Sequence, residues 1–483
     1  MKRAALLFLA LISGACAARA ETRPHYGGTL RVEMQSAPNA LALPDASDPA
    51  SYWDIARVLS LVGDTLVRVD AEDRPQPGLA TAWRHDSTMR HWEFTLRPGI
   101  RFHDGSASSP AAVAQILAAL HPNWTVRVSP TLLFASATGS AAADSVIIDS
   151  GIDAPSLLAE LAMPRNLILK RNASGIPVGT GPFRVADFQP GKLLKLVSSD
   201  ESWSGRPFID GIEIEFGKSL REQSLALELG RADLVEAAPE AGTTSPRGHS
   251  SSSLPVELMA LVVPGNSAAT STAHSTENST SSSASNSKTQ DARLREALAL
   301  SIDRKPIQMV LLKGAAEPAA SLLPNWMTGY SAAFPTQPNL ARAKVLLAES
   351  SPPALRLSYD PRDPQAQLIA ERLALNAREA GITIQVSLSG AEDIRLVRIA
   401  LTTPDPGLAL RTAARDLALT EPQLRGNSVD DLYSAEHALL EGNAIIPLFH
   451  LPLASTVSAR MRGWSADRLG LWDLADIWLE DSR

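Results

Sequence analysis

Short runs of alternating apolar and polar residues punctuate this chain, and between them the apolar positions fall at helical spacing. Residues 29–34 alternate with Leu30, Val32 and Met34 on one side, the period of a half-buried strand. In residues 51–66, Ile55, Val58, Leu59 and Val62 share one helical face. Trp92, Phe94 and Leu96 alternate before a turn at Pro98-Gly99. A second strand closing at Asp104-Gly105 would complete a hairpin. Pro110–Leu120 reads as a helix with Val113, Ile116, Leu117 and Leu120 inward. Residues 146–148, 154–161 and 167–169 give a minimal strand–helix–strand pattern.

Turn signals cluster in residues 178–216, at Gly179-Thr180-Gly181-Pro182, Gln189-Pro190-Gly191 and Ser204-Gly205-Arg206-Pro207. Between them, Phe183/Val185, Leu194/Leu196 and Ile212/Ile214/Phe216 alternate. The stretch therefore predicts two strands joined by a turn, a connection through Trp203, and a third strand. Further on, residues 291–304 form an amphipathic helix with Leu294, Leu298 and Ile302 inward. Residues 355–359, 364–380 and 381–386 predict a strand–helix–strand unit whose long connection favours parallel pairing. Residues 239–253 are rich in Pro, Gly and Ser, and 14 of the 26 residues 265–290 are Ser or Thr. Such a segment cannot bury enough apolar area to offset its ordering entropy, and a disordered surface loop is expected.

Several of these pieces, in this order, resemble the family 5 extracellular solute-binding proteins, the peptide-, dipeptide- and nickel-binding components of ABC importers. The similarity lies in Gly27-Gly28-Thr29-Leu30, residues 92–105 (WEFTLRPGIRFHDG), the stretch from Val178 to Phe183, Trp203 with Gly205 and Pro207, residues 291–304, and Ala380-Gly381-Ile382. The resemblance runs from about residue 27 to 480. It implies an α/β (mixed α+β), periplasmic binding protein-like two-lobe fold of type II, similar to cluster C, with an additional small domain. Lobe I would comprise 21–50, 177–263 and 456–483, the small domain 51–176 in shortened form, the loop 264–290, and lobe II 291–455. In peptide-binding members an Asp pairs with the ligand's amino terminus, and the matching position here falls near Thr402. Asp405 is the alternative anchor or a turn cap, with the cap favoured. Trp203, Trp326 and Tyr330 line the cleft or pack at lobe surfaces.

The composition fits a protein of two or three domains: 483 residues, 45% hydrophobic and 20% charged. Formal net charge is −7, and loss of Lys2, Arg3 and Arg19 with residues 1–20 would make it −10, which argues against a nucleic-acid partner. Lys2 and Arg3, an apolar run over 4–12, and Ala18-Arg19-Ala20 read as a signal peptide cleaved after Ala20 into the periplasm. Cys16, the only cysteine, offers lipid anchorage as the alternative. No nucleophile–base pair, metal-ligand spacing or glycine-rich phosphate loop stands out, so no enzyme, cofactor or metal is expected. His103 beside Asp104 reads as a turn-stabilising pair. The expected partners are a peptide or other small-molecule ligand and the permease and ATPase subunits of an inner-membrane importer, with the chain a monomer. A degenerate relative with an interaction or sensory role is the alternative. The shortened small domain, the missing Asp and the Ser/Thr-rich insertion motivate it.

Overall fold

The computed structural model describes residues 23–44, 49–70, 72, 74–129, 145–151, 154–236, 248–263, 288–330, 333–363, 365–388, 392–424, 426, 428–465 and 467–480. The signal-peptide region, and 264–287 of the Ser/Thr-rich segment, lie outside them. Lys288 is paired with Asp393 and Thr289 is buried, so the ordered chain resumes before residue 290. Residues 248–253, expected as part of a loop, instead begin a strand.

One mixed sheet of 11 strands runs through the molecule. At one end, Phe183–Gln189 and Leu193–Ser198 form the hairpin expected around Pro190-Gly191, and Gly211–Glu215 pairs beside it. Gly191 at φ +69° supplies the left-handed turn. Thr29–Glu33 then lies parallel to Gly211–Glu215, with Leu30, Val32, Ile212 and Ile214 buried in the core of lobe I. At the other end, Leu355–Tyr359 lies parallel to Ile384–Val386 and Ile394–Ala400. The helix Ala366–Glu379 connects the first two strands and contributes Ile369, Ala370 and Leu373 to the core of lobe II. Ala292–Ser301 adds Leu294 and Leu298 to the same core, as its pattern required.

Two long antiparallel strands join these halves. Gly248–Val262 pairs with Ile445–Ser458 along most of its length, and its second part also pairs with Ile394–Ala400. The ladder is irregular around Pro255, which has no N–H to give.

A second sheet has four antiparallel strands in the order Ala80–His85, His91–Leu96, Ser145–Asp149, Thr125–Val128. The helix Pro110–Leu120, capped by Ser109, closes it with Val113 and Leu117 buried. The hairpin differs from expectation. His91–Leu96 pairs with the preceding strand Ala80–His85, and residues 100–105 form no strand. After Gly99, at φ +76°, the chain curls on itself through Phe102 N–H to Ser106 O, and Ile100 and Phe102 tuck into the small core. His103 is pinned there, its backbone N–H on Gly179 O and its Nε2 on Gly181 O at 2.9 Å. The strand expected at 167–169 is likewise displaced, to Lys170–Arg171 against Pro177–Val178.

The stretch 179–183 is held by close approach. A Cβ on Gly179 would stand 2.1 Å from Val62 O, and one on Gly181 2.8 Å from it. Backbone bonds from Gly181 to Val62 and from Phe183 to Leu61 fix the contact. No helix among the described residues is long and apolar enough to cross a membrane.

Candidate functional site

The helix Pro49–Leu59 has two buried faces. Ile55, Val58 and Leu59 enter the lobe I core, whereas Tyr52, Trp53 and Ala56 face a separate cluster with Met163, Val256, Ala400 and Leu469. That cluster is the seam between the lobes. Trp326 and Leu453 pack against it from the far side. Two indoles donate to carbonyls of the crossing strand where its ladder is irregular: Trp326 Nε1 to Pro255 O at 2.8 Å, and Trp53 Nε1 at 3.3 Å to Val256 O, which also accepts from Leu401 N–H.

Buried and half-buried ions flank this apolar patch. Arg57 is 2% exposed, donates to Gly470 O at 2.8 Å and to Glu236 Oε1 at 3.1 Å, and stacks on Trp472. Burial, reinforced by the nearby Glu236 charge, holds the Asp54 carboxyl well above its ordinary range. From lobe II, Arg398 bridges Glu257 at 3.3 Å and Asp363 at 2.8 Å, and burial again raises Glu257. Burial alone would raise Glu160 too, but its ion pair with Arg165 prevails and lowers it. Arg165 also reaches across the seam to Thr402 Oγ1 at 2.6 Å. Tyr52 lies beside this group, and burial pushes its phenol up to about 12.

The seam thus receives Trp326, Thr402 and Asp405 of the residues singled out in the sequence. Asp405 caps the helix Pro406–Asp416 through Leu408 N–H, and its other oxygen accepts from Ser156 Oγ at 2.9 Å. Tyr330 lies in the lobe II layer behind the seam, donating to Glu436 Oε2 at 2.5 Å. Trp203 packs instead on the small-domain cluster, between the guanidinium groups of Arg68 and Arg97, with its indole donating to Asp64 at 2.9 Å. It locks the turn at Gly179–Gly181, since Thr180 Oγ1 donates to the same carboxylate.

Tyr52, Trp53, Asp54, Arg57, Glu160, Arg165, Glu257 and Arg398 escaped the sequence reading. One signal was present. Residues 52, 53 and 56 form a second apolar stripe on a helix already carrying one, the mark of an element buried on two sides. A cavity of about 10 Å³ beside the crossing strands, between Ser253, Ser455 and Trp472, has room for about one water. Among the described residues no group of three or more His, Cys, Asp or Glu is placed to hold a metal ion.

Two lobes on one sheet, joined by a pair of crossing strands and meeting at a buried polar seam, define a two-lobed binding protein. The chain belongs to the bacterial extracellular solute-binding proteins, family 5, whose middle-region model matches residues 74–404. The nickel-binding protein NikA of Staphylococcus aureus is 23% identical over 336 residues, covering 67% of this chain and 64% of that protein. The nickel-binding periplasmic protein of Escherichia coli is 23% identical over 373 residues, 69% of this chain and 66% of that one. The chain therefore spans just under two thirds of the length of these curated relatives. Among solved structures, the dipeptide binding protein of Pseudoalteromonas sp. SM9913 in complex with Met-Leu superposes with a TM-score of 0.73 at 15% identity. The match covers 94% of this chain and all of that one.

Proposed function

We propose that this chain captures a peptide or another small polar solute between its lobes and delivers it to the permease of an ABC importer. A separate ATPase would supply the energy, and the chain itself would catalyse no reaction. The observation that carries the reading is the seam, where the aromatic and charged groups of two lobes converge around the crossing strands, which we take as the hinge. Export through the signal peptide, with cleavage after Ala20, places the monomer in the periplasm. The test is native mass spectrometry of mature protein purified gently from its own host. A discrete added mass, released on denaturation and identified as a solute, is the expected result. An apo mass that persists after incubation with a peptide and metabolite mixture would refute capture.

One observation favours a second reading, a degenerate relative with an interaction or sensory role. Thr402, near which the position of the amine-anchoring Asp falls, already accepts a bond from Arg165, and Tyr52, Trp53 and Met163 pack in the cluster alongside. The persistent apo mass would select this reading.

A further inference from the structure

We infer that Glu436 is the positioning residue for the lobe II wall of the cleft: it holds the Ser321–Tyr330 turn in place and thereby sets Trp326 against the crossing strand. The inference rests on reading the seam as the solute cleft. Glu436 projects from the helix Val429–Leu440 and is fully buried. Three donors converge on its two oxygens. Leu322 N–H and Leu323 N–H reach Oε1 at 2.6 and 2.9 Å, and Tyr330 Oη reaches Oε2 at 2.5 Å. These donors bracket the turn, with Trp326 between them. The Leu322 peptide is held from its other side too, because His450 Nε2, on the crossing strand, meets Leu322 O at 3.2 Å. With its ends fixed, the short helix Asn325–Thr328 presents the Trp326 indole to Pro255 O.

Among the described residues no cation pairs with this carboxyl: the groups acting on it are Tyr330 and the two amides, and burial outweighs them, pushing it up to about 7. Tyr433, which meets Tyr330 edge to face, and His437, stacked on Phe334, stand on the same helix. Burial pushes His450 down to about 4, so it stays neutral from pH 5 to 8. A turn that opens exposes Glu436 to water, where its ordinary value is 4.5. The closed turn thus binds a proton more tightly than the open one, Oε2–H then donating to Tyr330 Oη while Oε1 keeps the two amides, and rising pH favours opening.

Amide hydrogen exchange at Leu322 and Leu323 in the full mature chain tests this. Protection, corrected for intrinsic exchange, should fall by about seventyfold between pH 5 and pH 8. In Glu436→Gln the profile should be flat, while Ala366–Glu379 of the same lobe should respond alike in both proteins. Trp326 emission, identified by difference from Trp326→Phe, should follow the same transition. In Glu436→Ala, where it folds, exchange across the turn should rise at least tenfold at every pH. Unchanged exchange across the turn in folded Glu436→Ala, or an equal fall with pH in Glu436→Gln, overturns the inference. The readout needs no solute, so its failure leaves solute capture standing, and an apo mass leaves the turn's anchorage standing.

Discussion

Arg165 Nη1 donates to Thr402 Oγ1 at 2.6 Å, joining residues 237 positions apart in the sequence. The same guanidinium is paired with Glu160, whose side chain is 4% exposed. The hydroxyl at the resemblance-implied anchor is therefore engaged by an internal cation, in the charge sense a ligand ammonium would have.

Removing that cation should be costly. Arg165→Ala leaves Glu160 buried with Asn166 as its remaining donor, and a destabilisation of about 3 kcal/mol is expected. Pairing it with Glu160→Gln should recover much of the loss, because no charge is then stranded. Urea midpoints of the two variants check this, and equal midpoints would contradict it.

Asp64 accepts from Thr180, Trp203 and Arg68 while its side chain is only 2% exposed. Asp64→Ala strips three donors of their acceptor, one of them, Thr180, at the turn that seats the small domain on lobe I. A loss of about 3 kcal/mol is expected. Trp203 emission should shift to the red as its indole loses its partner, whereas an unshifted spectrum would place the anchorage elsewhere.

Gly179→Ala puts a methyl group where Val62 O already stands, 2.1 Å from the new carbon. Backbone cannot yield as a side-chain tip can, so the expected cost is about 3 kcal/mol or more. Gly105→Ala is the control. Its Cβ would meet nothing within 4 Å, and its cost should be confined to its φ of +81°. Thermal melts of the pair should separate the two effects.

The seam should also give stability a pH dependence. Asp54 and Glu257 are both raised by burial, Asp54 further by Glu236 and Glu257 further by Asp363. Because their folded values lie above the ordinary 3.8 and 4.5, the contribution is complete below those values. It is lost as pH rises through the raised ones. The Asp54 share, isolated as the difference in urea midpoint between the unmodified protein and Asp54→Asn, should shrink as pH rises, on top of the opposite trend that buried neutral His450 imposes between pH 4 and 6.5. An unchanged slope in Asp54→Asn would show that its carboxyl is not the source.

Chain-local physics determined much of this protein. The turn at Pro190-Gly191, the inward Leu294 and Leu298, and the parallel unit around Ala366–Glu379 follow from periods of 2 and 3.6 residues and from what Pro and Gly allow. The family resemblance was legible for the same reason, since its motifs are local turns and strands. The hairpin partner of His91–Leu96 was not, because Ala80–His85 shows no clean alternation, being buried only at Ala80, whereas residues 100–103 do alternate but curl at Phe102 instead of pairing. The seam lay further out of reach. Its members come from residues 52–57, 160–165, 236, 257, 326, 398–405 and 469–472. Trp203 and Trp326 look alike in sequence, yet Asp64 claims one and Pro255 O the other. Burial of charge and the pairing of distant ions arise only when the two lobes meet, so the tertiary structure alone decided them.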